Sequence, residues 1–165
     1  LAVQNAIATV QQGLSVTIEQ NTAPDGTSQV GSFLVIIDDG SGYPSASLLS
    51  NVAAAVDSVR PIATRFAVIS PQVLTVNVSM TADLTSQATA SSDISNIENY
   101  VAIYLNTLAI GKSASVTRVA QNAYLAGSNI ENVTAIQLNG TSADILPPPL
   151  SVIKAGQVVV TANGG

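Results

Sequence analysis

From Gln72 to Thr81 runs the cleanest alternation in the chain. Leu74, Val76, Val78 and Met80 fall on one side, and Thr75, Asn77, Ser79 and Thr81 on the other. Successive side chains of a strand point to opposite faces, so this pattern predicts a half-buried strand with one apolar and one uncharged polar face. Ser70-Pro71 stands directly before it. Pro has a fixed φ and no N–H to donate, which makes this pair the best internal boundary in the chain.

Upstream of that boundary, Val3, Ile7 and Val10 recur at helical spacing within Ala2 to Gln12, and Gly13 is a natural residue to end such a helix. Leu14, Val16 and Ile18 then alternate with Ser15, Thr17 and Glu19, predicting a strand. Ala23-Pro24-Asp25-Gly26 has turn chemistry, and the continuous apolar run Phe33 to Ile37 reads as a strand buried on both faces. After the loop Asp38-Asp39-Gly40-Ser41-Gly42-Tyr43-Pro44, a helix is predicted over residues 45–59, with Ser45 or Ser47 as its cap and Leu48, Leu49, Val52, Val56 and Val59 on one side. It stops at Arg60-Pro61, because Pro pushes the preceding residue out of the α region. Ile62, Thr64, Phe66 and Val68 predict a further strand.

Downstream, a polar stretch over residues 85–92 leads to a helix predicted at 93–110 and ended by Gly111. Its apolar stripe is Ile94, Ile97, Val101, Tyr104, Leu105 and Leu108. Ser115 to Leu125 predicts a shorter helix. Strands at Asn132 to Leu138 and Val152 to Ala162 close the chain, the last entered from the stiff run Pro147-Pro148-Pro149. That run either connects strands within the chain or holds the last strand out towards a neighbour. The element order is αββαβ over residues 1–70 and βααββ over 71–165. This predicts an α+β fold of two small consecutive layers, with mainly antiparallel sheets and helices packed on one face. No sequence repeat is visible.

Composition decides what chemistry is open to such layers. The 165 residues include no Cys, His or Trp, and only 9% are charged. His is the usual general base near neutral pH, Cys the most readily activated nucleophile, and zinc sites draw mainly on both. The five basic residues, Arg60, Arg65, Lys112, Arg118 and Lys154, are scattered and the net charge is -5, which excludes a clustered phosphate-binding surface and hence nucleic acid. No run approaches the roughly 18–20 apolar residues of a spanning helix, so no membrane insertion is expected. The chain opens at Leu1 inside a helical pattern, shows no basic segment followed by an apolar run of the signal-peptide kind, and is expected to be a C-terminal or processed piece of something longer.

The candidate sites are few. Asp38 and Asp39 are the only adjacent carboxylates, a conceivable Ca²⁺ ligand or glycosidase-like pair. Neighbours at a strand end point apart, however, and a solvated cap on a Gly-rich turn accounts for them better. Gly40-Ser41-Gly42 lacks the further Gly and Lys of a phosphate loop. Asn77, Asn132 and Asn139 head glycosylation-type triplets, as chance provides in a chain this rich in Asn, Ser and Thr. Tyr100 and Tyr104, one helical turn apart, read as a packed face sooner than as a ligand platform. The expectation is a chain with no catalytic, cofactor-binding or metal-binding residues: an assembly-forming protein, not an enzyme.

Taken in order, several of these segments resemble the baseplate J-like family of contractile phage tails and related injection machines. The resemblance is carried by Phe33-Leu34-Val35-Ile36-Ile37-Asp38-Asp39-Gly40-Ser41-Gly42-Tyr43-Pro44, by Val59-Arg60-Pro61-Ile62, and by Val68-Ile69-Ser70-Pro71 leading into Val73 to Met80. It continues through Gly111, Asn132-Val133 and Ala155-Gly156-Gln157-Val158-Val159-Val160. It matches the family's middle region over 1–70 and its C-terminal region over 71–165; the N-terminal portion is missing. The resemblance implies a wedge subunit in a ring around the central hub, linked to sheath contraction. The implied partners are other baseplate proteins, copies of itself, and hub and sheath-proximal subunits. The implied location is the virion tail baseplate, assembled in the host cytoplasm. The family has no catalytic residues to carry over. The competing expectation is a receptor- or carbohydrate-binding module of a tail or surface appendage, against which the scarcity of aromatic residues and the lack of Trp argue.

Overall fold

Ser32 to Asp38 are buried without interruption, and this run anchors the first half of the chain. The structure, a computed structural model, describes residues 2–164. It divides into two compact units, Leu1–Gln72 and Val73–Gly165. The first contains α1 (Ala2–Val10), β1 (Ser15–Thr22), β2 (Ser28–Asp38), α2 (Ala46–Val59) and β3 (Arg65–Ile69). Then follow β4 (Gln72–Leu84), a 3-10 turn at Gln87–Thr89, α3 (Ala90–Asn106), α4 (Val116–Leu125), β5 (Ile130–Leu138) and β6 (Ser151–Gly164).

In the first unit the sheet order is β1-β2-β3. β1 runs antiparallel to β2, with Val16 opposite Ile37 and Ile18 opposite Val35. β3 runs parallel to β2, with Val35 opposite Val68. Parallel neighbours need a crossover, and α2 supplies it. Ile7 of α1 and Leu48, Val52 and Val56 of α2 pack with Phe33, Val35 and Ile37 of β2 in one apolar cluster. Each such side chain contributes about 1.5–3 kcal/mol by leaving water. Ser45 caps α2, its Oγ accepting the Leu48 N–H at 3.2 Å, and Arg60 closes it, donating its N–H to Val56 O. The Arg60 guanidinium then reaches Asp57 at 2.5 Å and Thr64 O at 2.6 Å, and lies 5.5 Å from the Phe66 ring centroid, so it ties the end of α2 to β3. Phe66 in turn stacks on Phe33 across the parallel pair at 5.7 Å.

In the second unit the order is β5-β4-β6, with β4 and β5 antiparallel. β6 touches β4 through Asn77 with Gln157 and Asp83 with Asn163, both at a separation of 80 residues. A constant sequence offset is the signature of strands running the same way. Val76, Val78, Met80, Ala82 and Leu84 of β4 form a core with Ile97, Val101 and Leu105 of α3, Val119 and Ala123 of α4, and Ile153 and Val160 of β6. The hairpin after β5 turns on Asn139 (φ 49) and Gly140 (φ 78), and Leu138 and Thr141 exchange backbone hydrogen bonds across it. Two residues at positive φ are what a type I′ turn requires.

The α+β class expected from the element order is the one that forms. Its sheets are mixed, since β2 and β3 run parallel, whereas antiparallel pairing was expected to dominate. β3 begins at Arg65 rather than at Ile62, because Pro61 to Thr64 form a turn with Ala63 at φ 67, and Ile62 is 98% exposed. α3 starts at Ala90 and ends at Asn106, earlier at both ends than the predicted 93–110. Its first turn contains the buried Asp93, whose Oδ2 accepts the Thr89 hydroxyl at 2.7 Å, a placement that favours a carboxylate near the positive end of the helix. Beyond Asn106, Leu108, Ile110 and Gly111 form a connection whose Gly111 N–H donates to Ser151 O at 2.9 Å.

Candidate functional site

The two adjacent carboxylates part company in the fold. Asp38 ends β2 buried, and its Oδ1 accepts the Gly42 N–H at 2.7 Å. Asp39 is exposed, and its Oδ1 accepts both the N–H (3.0 Å) and the hydroxyl (2.5 Å) of Ser41. Ser41 Oγ then accepts the Tyr43 N–H at 2.9 Å. Both side chains shape their own loop, the buried one by satisfying a backbone donor that would otherwise be costly to bury. Among the described residues, no three His, Cys, Asp or Glu side chains are grouped to hold a metal ion.

The remaining candidates also hold structure together. The Tyr104 hydroxyl accepts the Ser115 N–H at 3.1 Å and so fixes the start of α4, while Tyr100 is left half in solvent. Asn132 Oδ1 accepts the Tyr124 hydroxyl at 3.2 Å and the Val133 N–H at 3.0 Å. The proline run leads into a turn in which Pro148 O accepts the Ser151 N–H, with Leu150 at φ 63. Pro at the first central position and positive φ at the second suit a type II turn. It delivers β6 to β4 of the same chain. No helix is long and apolar enough to cross a membrane among the described residues.

What the strands bring together instead is a broad, mostly uncharged face, on which β4 carries the one carboxylate, Asp83. Alternation places Thr75, Asn77 and Ser79 of β4, with Gln157, Val159, Thr161 and Asn163 of β6, on the side of the second sheet away from its core, and all seven are exposed. The face is stitched internally. Asn77 Oδ1 accepts the Gln157 N–H at 2.8 Å, and Asp83 Oδ1 accepts the amide of Asn163 at 3.2 Å. At the strand's start, the buried Lys154 donates to Asn106 O at 3.1 Å, a cation at the negative end of α3, and Ala155 N–H donates to Asn106 Oδ1 at 2.9 Å. In the first unit a half-open groove of about 520 Å³ is lined by Gln4, Gln20, Asn21 and Ser32 beside Phe33, without charge. The amide and hydroxyl groups of these surfaces do not titrate near neutrality.

Sequence reasoning placed Asn77 on the polar face of its strand but took Asn139 only as the head of a glycosylation-type triplet, and so missed the link between them. The Asn139-Gly140 dipeptide, a strong hairpin signal, was the clue that would have found it.

No family model matches the chain, and no curated protein matches it. A solved structure does: the cryo-EM structure of the anti-feeding prophage baseplate, six-fold symmetrised, contains a chain similar to this one with a TM-score of 0.55 and 13% sequence identity. The similarity covers 90% of this chain and 35% of that one, so this chain spans about a third of the baseplate chain's length. At that identity the likeness is one of fold.

Proposed function

We propose that this chain is a structural, non-enzymatic subunit of a contractile-tail or injection-machine baseplate. In this reading it belongs to the baseplate J-like family, with residues 1–70 as the family's middle subdomain and 71–165 as its C-terminal one. It would serve as a wedge element around the hub, in contact with other baseplate proteins and copies of itself, and would reside in the particle's baseplate after assembly in the host cytoplasm. The observation that carries the reading is the fold similarity to a baseplate chain over 90% of this chain. The mostly uncharged sheet face and loop-bound carboxylates are consistent with it: they supply surface for packing and leave the acidic pair occupied in its own turn.

The test is to tag the chain in its parent particle and image the purified particle by electron microscopy. The reading expects label at the baseplate end of the tail, in a ring around the axis. Label at a fibre tip, together with a strong specific hit on a glycan array, would replace it with the receptor-binding alternative.

A further inference from the structure

We infer that Asn139 is a site of covalent self-modification, disarmed in the folded sheet and released when the end of its hairpin leaves β4. The Gly140 backbone nitrogen then attacks the Asn139 side chain and converts its amide to an acid, so that opening is recorded in a covalent change. This chemistry uses the chain's own residues and does not depend on the baseplate reading. Asn139-Gly140 is exposed at the turn after β5, and with Asn163-Gly164 it is one of two Asn-Gly pairs in the chain. Gly is the least hindered neighbour for such an attack, because no Cβ shields its nitrogen. Reacting groups joined through a short stretch of chain behave as though highly concentrated, provided that the geometry brings them together.

In the folded sheet it does not. Asn139 Oδ1 accepts the Asn77 N–H at 2.8 Å and Nδ2 donates to Thr75 O at 3.2 Å, so both polar atoms on the reacting carbon are held by the β4 backbone. The Asn139 N–H also donates to Asn77 O, and Leu138 and Thr141 close the turn with backbone hydrogen bonds. Cγ cannot swing to the Gly140 nitrogen, nor Nδ2 depart, until both side-chain bonds break. The turn, with Asn139 at φ 49 and Gly140 at φ 78, must unwind as well. Such local openings cost less than global unfolding and recur while the rest of a domain stays folded. Asn163 is held less firmly, since its Nδ2 donates to another side chain, Asp83 Oδ1, at 3.2 Å.

Once the turn opens, the Gly140 nitrogen gives its proton to solvent and bonds to Asn139 Cγ, while Nδ2 takes up a proton and leaves as ammonia. Water then opens the cyclic imide. Attack at Cγ breaks the new bond and leaves aspartate. Attack at the main-chain carbonyl breaks the original peptide bond and leaves isoaspartate, with the chain now running through Cγ. Overall a water is consumed and an ammonia released, with no oxidant or reductant. Neither product restores the link to β4. Aspartate tolerates the left-handed turn, but its second oxygen falls where Nδ2 donated to Thr75 O, and so sets two acceptors against each other. Isoaspartate lengthens the main chain within the turn and displaces the pairing of Asn139 with Asn77.

Asn163 is the internal comparison, and trypsin separates the two sites, because no Lys or Arg lies between Arg118 and Lys154 and none follows Lys154 in the chain. The full chain is incubated at mildly alkaline pH, folded and in strong urea, and the Asn139 and Asn163 peptides are followed by mass for conversion of amide to acid. In urea the two should convert at similar rates. In the folded chain Asn139 should convert at least about tenfold more slowly than in urea, the protection expected of two hydrogen bonds, and more slowly than Asn163 in the same sample. Asn139→Asp, which makes the aspartate product directly, should unfold at lower urea than the wild type. Equal conversion of Asn139 in the folded and unfolded chain overturns the proposal, as does no conversion of it in urea. So does an Asn139→Asp variant as stable as the wild type, since the modification would then leave the sheet unchanged.

Discussion

Asn77 and Asn139, 62 residues apart in sequence, meet as though both were strand residues. The backbone N–H of Asn139 donates to Asn77 O at 2.8 Å, and the side-chain Oδ1 of Asn139 accepts the Asn77 N–H at 2.8 Å. Asn139 Nδ2 also donates to Thr75 O at 3.2 Å. The turn residue thus supplies from its side chain the acceptor that its own carbonyl, rotated away at φ 49, does not offer. Asn77 passes the arrangement on, its Oδ1 accepting the Gln157 N–H on β6. One turn residue and one strand residue therefore connect all three strands of the second sheet.

Two substitutions at this turn separate backbone from side-chain effects. Asn139→Gly keeps the left-handed conformation and removes two side-chain hydrogen bonds, at a cost of about 1–2 kcal/mol. Asn139→Ala removes the same bonds and adds left-handed strain, about 0.4–1 kcal/mol more. Urea denaturation should rank the wild type above Asn139→Gly and Asn139→Ala last. Equal stability of the two variants would contradict the strain argument.

Gly156 is required for space rather than for φ. A Cβ there would stand 2.2 Å from Asn77 Oδ1 and 2.7 Å from Thr75 Cγ2. Gly156→Ala must displace the Asn77 side chain and so break its bond to Gln157, costing about 1–3 kcal/mol. In an Asn77→Ala background that bond is already absent and the nearest obstacle is gone. The double variant should accordingly lose less than the sum of the single losses, by at least about 0.5 kcal/mol in a thermal or urea cycle. Strict additivity would show that the side chain does not mediate the cost.

These contacts also mark where reading the sequence stopped short. The element order αββαβ, βααββ was legible because each element signals locally: helical spacing in Leu48, Val52 and Val56, strict alternation from Leu74 to Met80, and Arg60-Pro61 as a stop. The direction of β3 was not, since β2 and β3 pair across an intervening helix, and no local pattern records which way a strand enters a sheet. The burial of Asp38 was hidden because its partner is a backbone N–H in the following loop, which has no residue-type signature. The Asn77, Asn139 and Gln157 link spans separations of 62 and 80 residues, so it exists only once the sheet is assembled.

Ser45 caps α2 through the Leu48 N–H, while Ser47, the other candidate, lies 3.0 Å from the Ser45 hydroxyl. Ser45→Ala leaves an orphan donor in the first turn and should cost about 1 kcal/mol, with Ser45→Asp retaining most of the stability. Ser47→Ala should cost less than half as much. A larger loss at Ser47 than at Ser45 in chemical denaturation would reverse the assignment.

The turn between β1 and β2 should respond to acid. The Asp25 carboxylate accepts the Thr27 hydroxyl at 2.6 Å and the Thr27 N–H at 3.0 Å. These bonds, the hydroxyl's first, hold its pKa below the ordinary value of 3.8. Because the folded value lies below the unfolded one, the carboxylate's contribution is fully present above pH 3.8 and is lost as pH falls through the folded value. The group is on the surface, so the effect is local to the turn and weakened by solvent. An NMR titration should place the Asp25 midpoint below 3.8, with the Thr27 amide shift following the same curve. In Asp25→Asn the Thr27 amide should no longer titrate in this range. A midpoint at or above the ordinary value would mean that Thr27 does not stabilise the charged form.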